Sequence, residues 1–261
     1  MPTTKKIITK EYGIIGHPLV HSYSPTFFNQ KFAEKGIKSQ YSAFDIDSIE
    51  QFPDIVSSHP LMRGFNVTIP YKQAVMPYLN EIDNNAKAIG AVNVVKVEQR
   101  DGKPYLTGYN SDWYGFTQSI QPLLQPWHTK ALVLGTGGAS KGIVYALQQM
   151  GISYTFVSRA AQEGMLTYED LSAEVMQAHS IIINTTPVGT FPHTKECPNI
   201  PYELITEKHL VYDLIYNPIR TLFLHQAETK GATICNGWSM FVHQALRSYQ
   251  IWEDTLWTYQ F

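Results

Sequence analysis

The sequence predicts an α/β protein, because short runs rich in β-branched and aromatic residues alternate with helix-like segments along the whole chain. The clearest case is "TKALVLGTGGASKGIVYALQQMGISYTFVSR", in which an apolar strand, a glycine turn, a helix and a second strand form a βαβ pattern. The chain has 261 residues, of which 44% are hydrophobic, so two domains of ordinary size can each bury a core.

The first half of the chain contains candidate strands at residues 12–16, 41–46, 65–69, 91–97 and 105–109. Between the first two, "SPTFFNQKFAEKG" predicts a helix with Ser24 as its N-cap and Pro25 in the first helical position. Gly36 is expected to end this helix.

The second half begins with the βαβ unit, whose first strand is predicted at residues 131–135 and whose helix is expected to end at Gly151. Further strands are predicted at 180–184 and 210–214, separated by the proline-bearing surface loop "PVGTFPHTKECPNIP". After Gly237, "WSMFVHQALRSYQIWE" has helical spacing. Its apolar stripe consists of Phe241, Ala245 and Tyr249.

The charge balance favours a small-molecule partner. With 20 basic and 22 acidic residues, the chain has no strong field that would attract nucleic acid or an anionic membrane. No apolar run approaches the length of about 18 residues that a membrane helix needs, and the N-terminus lacks the apolar segment of a signal peptide. We therefore expect a cytoplasmic location.

The spacing of cysteine and histidine does not predict a metal site. Cys197 and Cys235 are far apart and lack neighbours at ligand spacing, which also argues against a disulfide. His17 and His21 are four residues apart, but Pro18 lies between them and favours an extended segment.

The glycine turn of the βαβ unit predicts a dinucleotide site. Gly135, Gly137 and Gly138 follow a strand and precede a helix, so backbone amides and the helix N-terminus can approach a pyrophosphate. Ser140 stands where the third glycine of G-x-G-x-x-G is usual, and a tight structural turn is the alternative interpretation.

The end of the next strand favours NADP over NAD. NAD sites usually place Asp or Glu about 20 residues after the glycine turn, to bind the ribose 2′-hydroxyl. Here the chain has Ser158 and Arg159, and a guanidinium is suited to a 2′-phosphate. The alternative is an arginine that is simply solvated at the surface.

The stretch "HSYSP" places two hydroxyls before a helix. A residue before proline favours an extended conformation, so Ser22 and Ser24 are expected on one face, near a helix N-terminus that attracts anions. A substrate carboxylate fits that position. The alternative is that Ser24 only caps its own helix.

Two candidate catalytic residues follow predicted strands. Lys72 lies in "FNVTIPYK" and Asp112 in "YNSDWYG", at strand ends of the kind where α/β proteins assemble their sites. A protonated amine beside a carboxylate can give a proton to the alkoxide formed when a ketone is reduced. Taken singly, both residues could equally be ordinary surface residues.

Eight motifs occur in order along nearly the full chain: "GHPLVHSYSP", "GFNVTIPYK", "IGAVNVV", "GYNSDWYGF", "VLGTGGASKG", "NTTPVGT", "DLIYNP" and "NGWSMFVHQA". Because it contains these motifs in this order, the chain resembles the shikimate/quinate dehydrogenase family. The resemblance implies an N-terminal α/β substrate domain, a Rossmann-like doubly wound NADP-binding domain and a C-terminal helix that returns to the first domain. The expected boundaries are 1–112 with 238–261 for the substrate domain and 113–237 for the cofactor domain.

The resemblance also implies roles for particular residues. Lys72 and Asp112 match the family's catalytic pair. The implied substrate contacts are Ser22 and Ser24 to the carboxylate, Tyr216 near it, and Thr68, Asn93, Asp112 and Gln244 to the ring hydroxyls. The implied cofactor contacts are Gly135, Thr136, Gly137, Gly138, Ala139, Ser158, Arg159, Thr185, Leu214 and Gly237.

One departure from the family pattern concerns the cofactor. The family usually has Asn-Arg-Thr followed by a second basic residue, whereas this chain has "SRAAQE", with Ser158, Ala160 and Glu163 at the changed positions. The preference for NADP is therefore expected to be weaker than is usual for the family.

The function implied is reversible NADPH-dependent reduction of 3-dehydroshikimate to shikimate in aromatic amino-acid (chorismate) biosynthesis, by a monomer or homodimer. Three rivals stay open at this point: a quinate/shikimate dehydrogenase with relaxed cofactor use, a non-catalytic shikimate-binding regulator, and another enzyme on this scaffold such as methylenetetrahydrofolate dehydrogenase. Ser24 favours shikimate over quinate, since quinate-preferring relatives often have threonine there. Lys72 and Asp112 argue against the regulator, and the paired serines and Gln244 argue against a pterin site.

Overall fold

A computed structural model describes residues 9–20 and 22–255 of the chain. The described residues form two compact units. One unit ends at Ser111 and resumes at Ala245, and the other is Asp112–Gln244. Each contains a six-stranded sheet with helices, so the predicted α/β class is confirmed.

The elements of the first half alternate between strand and helix. In chain order they are β1 (Lys10–Gly16), α1 (Ser24–Glu34), β2 (Ser39–Asp45), α2 (Phe52–Ser58), β3 (Met62–Val67), β4 (Glu81–Ile82), α3 (Asn84–Ile89), β5 (Val94–Arg100) and β6 (Lys103–Tyr109). The strand order in the sheet is β2-β1-β3-β5-β6-β4. Since β1 and β3 are parallel and β5 is antiparallel to both β3 and β6, one sheet edge collects the carboxyl ends of β1, β3 and β6 and the amino end of β5.

The second half continues the alternation. Its elements are α4 (Asp112–Ile120), β7 (Lys130–Leu134), α5 (Gly138–Gln149), β8 (Ser153–Ser158), β9 (Leu166–Thr167), α6 (Ala173–Ala178), β10 (Ile181–Asn184), β11 (Leu210–Asp213), α7 (Leu222–Glu228), β12 (Thr233–Cys235) and α8 (Trp238–Glu253). This sheet is wholly parallel, in the order β9-β8-β7-β10-β11-β12. That is the Rossmann order, and it reverses between β7 and β10.

The second sheet has a core on each face, as a doubly wound fold requires. Successive residues of β7 point to opposite faces, so Leu132 and Leu134 belong to one apolar cluster and Ala131 and Val133 to the other. All four side chains are fully buried.

The C-terminal half of α8 packs on the first sheet. The ring of Trp252 occupies the place that a side chain on Gly64 would need, and its indole nitrogen donates to the Val95 carbonyl at 3.1 Å. Its ring centroid lies 5.0 Å from that of Tyr12 on β1. The predicted return of the C-terminal helix to the first domain is therefore confirmed.

The start of α1 differs from the prediction. Ser24 is the first residue of the helix and not its extended N-cap, because Tyr23 before it already has helical backbone angles. The amide of Ser22 binds the Leu19 carbonyl at 2.9 Å, so a turn leads directly into the helix. The predicted end is correct, since Gly36 adopts the left-handed conformation with φ of 65°.

β11 ends in a buried carboxylate. Asp213 is fully buried, and this burial raises its pKa to about 6, although hydrogen bonds from Thr221, Ile215 and Asn184 lower it in part. An aspartate in the unfolded chain has a pKa of about 3.9. The folded state therefore binds more protons than the unfolded state between about pH 4 and pH 6.

The contribution of Asp213 to stability is thus fully present below about pH 4 and is lost as the pH rises through about 6. We expect the free energy of unfolding of the wild type to fall, relative to Asp213→Asn, by up to about 3 kcal/mol between pH 4 and pH 7. Urea unfolding of both proteins at the two pH values measures the difference. Parallel pH profiles would contradict the prediction.

Candidate active site

Lys72 lies in a turn that follows β3. The turn forms because the Tyr71 amide donates to the Thr68 carbonyl at 2.8 Å, and it is anchored by the Tyr71 hydroxyl, which donates to the Ile46 carbonyl at 2.6 Å. The Lys72 carbonyl accepts from the Val92 amide at 2.8 Å. The turn is therefore joined to the segment that carries Asn93.

Thr68 and Asn93 lie at the same sheet edge. The Thr68 amide donates to Ile15 at the end of β1, and the Asn93 carbonyl accepts from Val67 at the end of β3, both at 2.9 Å. Thr68 thus connects the ends of two parallel strands, and Asn93 leads into β5 beside them. The structure thus brings the backbone of Thr68, Lys72 and Asn93 to the same end of the first sheet.

The segment before Ser22 is held by Asp45. One carboxylate oxygen of Asp45 accepts from the Leu19 amide at 2.9 Å, and the other contacts His17 Nδ1 at 2.7 Å. The Leu19 amide, and after it His17, lowers the pKa of Asp45. His21, which follows His17 by four residues in the sequence, lies outside the described residues.

Ser24 is buried and does not cap its own helix, whose N-cap is Tyr23 with no side-chain cap bond. The Tyr41 hydroxyl, beside Ser24, donates to Asn66 Oδ1 at 2.7 Å and so begins a buried hydrogen-bond network. All three side chains are buried, and this burial raises the pKa of Tyr41. The interpretation of Ser24 as only a helix cap is therefore wrong.

The same network reaches Asn93. Asn66 Nδ2 donates to the Ser248 hydroxyl at 2.9 Å, and Ser248 lies 3.2 Å from the Ser111 hydroxyl. The Ser111 amide then donates to Asn93 Oδ1 at 2.6 Å, and Asn93 Nδ2 donates to the Ser111 hydroxyl at 3.1 Å. Because the amide of Asn93 is bound on both sides, its orientation is fixed.

The other three predicted substrate residues lie in the second unit. Asp112 is the first residue of α4, where the helix dipole favours a carboxylate. One turn later, Gly115 touches α8: a side chain at Gly115 would meet the Met240 carbonyl at 2.6 Å and the Gln244 amide at 2.9 Å. The absence of a side chain there lets the helices carrying Asp112 and Gln244 cross closely.

Tyr216 packs on the start of α8. Its ring centroid lies 5.2 Å from that of Phe241 and 6.0 Å from that of Trp238. Gln244 is three residues after Phe241 and therefore lies on the same helix face. Within the second unit, the structure thus associates Tyr216 and Gln244 through one face of α8.

The glycine turn after β7 has the conformation that a pyrophosphate site needs. Gly135 has φ of 96°, and a side chain on it would meet Thr186 Cγ2 at 2.7 Å. Ser140, at the third glycine position, is buried and donates its hydroxyl to the Gly137 carbonyl at 2.7 Å. A serine fits there because its one polar atom is satisfied within the turn.

A cavity of about 710 Å³ lies over this turn. The predicted cofactor residues that line it are Gly135, Thr136, Gly137, Ser158, Arg159 and Thr185. Sequence reasoning missed further lining residues that come from the loop after β10 and from residues 197–199. The volume is in the range of small-molecule and cofactor sites.

Arg159 lies at the end of the cavity nearest β8. It is exposed, and its charge lowers the pKa of Tyr168, another lining residue, against the larger upward effect of burial. The described residues that line the cavity include Gln162 but not Glu163, which is exposed. The cradle of glycines and the cationic Arg159 fit a phosphorylated dinucleotide.

Four predicted cofactor residues are not among the residues that line the cavity. Gly138 and Ala139 form the first turn of α5. Leu214 follows β11, and Gly237 lies against it so closely that a side chain on Gly237 would meet the Leu214 carbonyl oxygen at 1.9 Å. The Gly237 amide also donates to the Ile215 carbonyl at 3.1 Å.

Among residues 9–20 and 22–255, no group of three His, Cys, Asp or Glu side chains is placed to hold a metal ion. Within the same ranges, no helix has the length and apolar character needed to cross a membrane.

Comparisons with known proteins agree with this geometry. Residues 14–95 match the family model of the shikimate dehydrogenase substrate binding domain. The shikimate dehydrogenase (NADP(+)) of Methanococcus aeolicus is 37% identical over 261 aligned positions, which cover 94% of this chain and 92% of that protein.

Two solved structures extend the likeness to the fold. Shikimate dehydrogenase from Aquifex aeolicus has a TM-score of 0.83 at 32% identity, covering 99% of this chain and 96% of that one. The enzyme from Thermus thermophilus, in complex with NADP(H) and shikimate, has a TM-score of 0.81 at 29% identity, covering 95% and 94%. By sequence, coverage and fold, the chain belongs to the shikimate dehydrogenase family.

Proposed function

We propose that this chain catalyses the reversible, NADP(H)-dependent interconversion of 3-dehydroshikimate and shikimate in aromatic amino-acid (chorismate) biosynthesis. The observation that carries the proposal is the pairing of two features in one chain. One is a sheet edge bearing Thr68, Lys72 and Asn93, and the other is a Rossmann sheet whose glycine turn opens into a cavity with Arg159. The full-length relationship to NADP-dependent shikimate dehydrogenases supports it.

Substrate binding is assigned to seven polar residues. The hydroxyls of Ser22 and Ser24 bind the carboxylate, with Tyr216 near it. Thr68, Asn93, Asp112 and Gln244 bind the ring hydroxyls. The buried network from Tyr41 through Asn66, Ser248 and Ser111 to Asn93 supports this assignment, because it fixes the Asn93 side chain before substrate arrives and so reduces the entropy lost on binding.

Lys72 is the proposed proton donor. When bound, NADPH supplies the hydride that reduces the ketone. Lys72 then protonates the oxygen that develops negative charge, and in the opposite direction its neutral amine removes the proton of the hydroxyl. Asp112 is the second member of the proposed catalytic pair and binds a ring hydroxyl.

NADP(H) binding is assigned to the cavity of the second unit. The amides of the turn formed by Gly135, Thr136, Gly137, Gly138 and Ala139 bind the pyrophosphate at the N-terminus of α5. Ser158 and Arg159 bind the 2′-phosphate. Thr185, Leu214 and Gly237 contact the nicotinamide half.

Replacing Arg159 by glutamine is expected to raise the KM for NADP by about tenfold and to change the KM for NAD by less than about threefold, because only NADP carries the phosphate that the guanidinium binds. Initial rates with both cofactors measure the ratio. Lys130→Gln is the matched control, since it removes an exposed cation from the start of β7, at the opposite edge of the same sheet. An equal change in the KM values for NADP and NAD would show that Arg159 does not bind the 2′-phosphate.

The function itself is tested by following formation of reduced nicotinamide with shikimate or quinate as substrate, and NADP or NAD as cofactor. We expect the highest kcat/KM for shikimate with NADP. Shikimate binding without turnover would identify a regulator, and a preference for quinate would overturn the substrate assignment.

The expected domain boundaries, 1–112 with 238–261 and 113–237, are part of this proposal. So are the cytoplasmic location and the monomeric or homodimeric state. Sedimentation of the purified protein measures the last of these.

A further inference from the structure

A fully buried carboxylate joins the ends of two neighbouring strands of the Rossmann sheet. Asp213 Oδ1 accepts from Asn184 Nδ2 at 3.0 Å and from the Ile215 amide at 3.1 Å. Its second oxygen accepts from the Thr221 hydroxyl at 2.6 Å. Asn184, Asp213 and Thr221 are all 0% exposed. The carboxylate therefore connects the end of β10, the loop after β11 and the start of α7.

Asn184 transmits this connection into the loop after β10. Its Oδ1 accepts from the Thr186 amide at 3.0 Å and from the Thr186 hydroxyl at 2.6 Å, while its Nδ2 donates to the Val188 carbonyl at 3.3 Å. The bond to Asp213 is the contact that ties this amide to β11. If that bond is lost, only the contacts with Thr186 and Val188 hold Asn184, and the loop after β10 is no longer joined to β11 through this side chain.

The loop after β10, held in this way, lines the cofactor cavity. Thr185, Thr186, Pro187 and Val188 are lining residues, and the Thr185 hydroxyl donates across the sheet to the Leu134 carbonyl at 2.7 Å. In a Rossmann sheet the first three strands bind one nucleotide of the cofactor and the second three strands bind the other. Arg159, proposed for the adenosine 2′-phosphate, follows β8, so the loops after β10 and β11 serve the nicotinamide half.

We propose that Asp213 is a positioning residue for the nicotinamide half of NADP(H), acting through Asn184, Ile215 and Thr221 on the loops after β10 and β11. This inference rests on the proposed function, since it presupposes that the cavity binds NADP(H). The carboxylate needs no contact with cofactor or substrate for this role. It sets where Thr185 and Leu214 stand, and so how the nicotinamide ring is presented for hydride transfer.

This role predicts that loss of Asp213 affects the binding of the nicotinamide half of the cofactor and not the binding of the adenosine half. Adenosine 2′,5′-bisphosphate carries the 2′-phosphate but no nicotinamide. Loss of Asp213 should therefore weaken the binding of NADP while leaving the binding of this fragment unchanged. A role confined to overall stability would affect both ligands alike in the folded protein, or neither.

The experiment compares Asp213→Ala and Asp213→Asn with the wild type by titration of NADP and of adenosine 2′,5′-bisphosphate, and by steady-state kinetics. For Asp213→Ala we expect at least about tenfold weaker NADP binding and a similar fall in kcat, with fragment binding within about twofold of the wild type. Asparagine retains one acceptor oxygen, so the NADP affinity and kcat of Asp213→Asn should lie between those of Asp213→Ala and the wild type. The KM for shikimate should change by less than about twofold.

Ser119→Ala is the matched control. Its buried hydroxyl lies 2.6 Å from the hydroxyl of Tyr212, the strand neighbour of Asp213, on the opposite face of the sheet. The substitution removes a buried hydrogen bond to β11 without touching the loop after β10 or the loop after β11. We therefore expect NADP and adenosine 2′,5′-bisphosphate to bind as they do in the wild type. If Asp213→Ala does not fold, Asp213→Asn and Thr221→Val provide the comparison, each with a smaller effect in the same direction.

Equal loss of both ligands in a folded Asp213 variant, or wild-type binding of both, would overturn the inference. Failure of the wild type to bind NADP or to oxidise shikimate would instead overturn the proposed function. The two failures are therefore distinguishable within one set of titrations.

Discussion

Replacing Lys72 by alanine is expected to lower the turnover number for shikimate oxidation by at least about 100-fold, while the KM for shikimate changes much less. The amine is needed when charge develops on the reacting oxygen, whereas the carboxylate and hydroxyl contacts that bind the ring are assigned to other residues. The Lys72 carbonyl, which binds the Val92 amide, does not depend on the side chain. The turn after β3 is therefore expected to survive the truncation.

Lys87→Ala is a suitable control, because Lys87 is an exposed lysine in the last turn of α3, in the same unit. Circular dichroism during urea unfolding checks that both variants are folded. Near-normal turnover of Lys72→Ala would refute the assignment.

The cofactor half of the site was predictable from sequence because its signals are local. A strand, a glycine turn and a helix lie within 20 residues, and the strand order then fixes where Gly135 and Arg159 stand relative to the cavity. The serine in place of the third glycine of the motif has a local explanation too, since the Ser140 hydroxyl donates to the Gly137 carbonyl within the turn. Short-range geometry of this kind can be read from spacing.

The buried network on the substrate side was not predictable in the same way. Tyr41 and Asn66 are 25 residues apart, and Asn66 and Ser248 are 182 residues apart. Tyr41 and Asn66 lie inside predicted strands and Ser248 inside a predicted helix, so nothing in their own segments distinguishes them from core residues. Only the register of β2 against β1 and of β1 against β3, with α8 returning to this sheet, brings their side chains together.

Ser24 shows how tertiary contacts override a local rule. The residue before proline disfavours helical angles, which predicts an extended Ser24. In the structure, the Leu19–Ser22 turn starts the helical path, Asp45 holds this turn through the Leu19 amide, and Ser24 is buried in the first turn of the helix. The shortest strands, β4 and β9, were missed because two residues are too few to show a period of two.

Replacing Gly237 by alanine is expected to have the second large effect, because the added Cβ would lie 1.9 Å from the Leu214 carbonyl oxygen and 2.5 Å from its carbonyl carbon. Both atoms belong to the backbone, so the β11 loop must move by more than about 1 Å, a displacement that can cost about 100-fold in rate. We expect kcat/KM for NADP to fall by at least this factor, and the free energy of unfolding by about 1–3 kcal/mol.

Gly137→Ala is the informative partner, because a side chain at Gly137 meets no described atom within 4 Å and the residue caps α5 in an extended conformation. The protein can accept this methyl group, whereas a pyrophosphate approaching the turn cannot. Gly137→Ala should therefore keep the wild-type free energy of unfolding and still bind NADP more weakly, while Gly237→Ala loses both. Urea unfolding together with NADP titration separates the two. Wild-type stability in Gly237→Ala would mean that β11 and α8 do not approach as closely as the collision with Leu214 requires, and the placement of Gly237 beside the nicotinamide would then have to be abandoned.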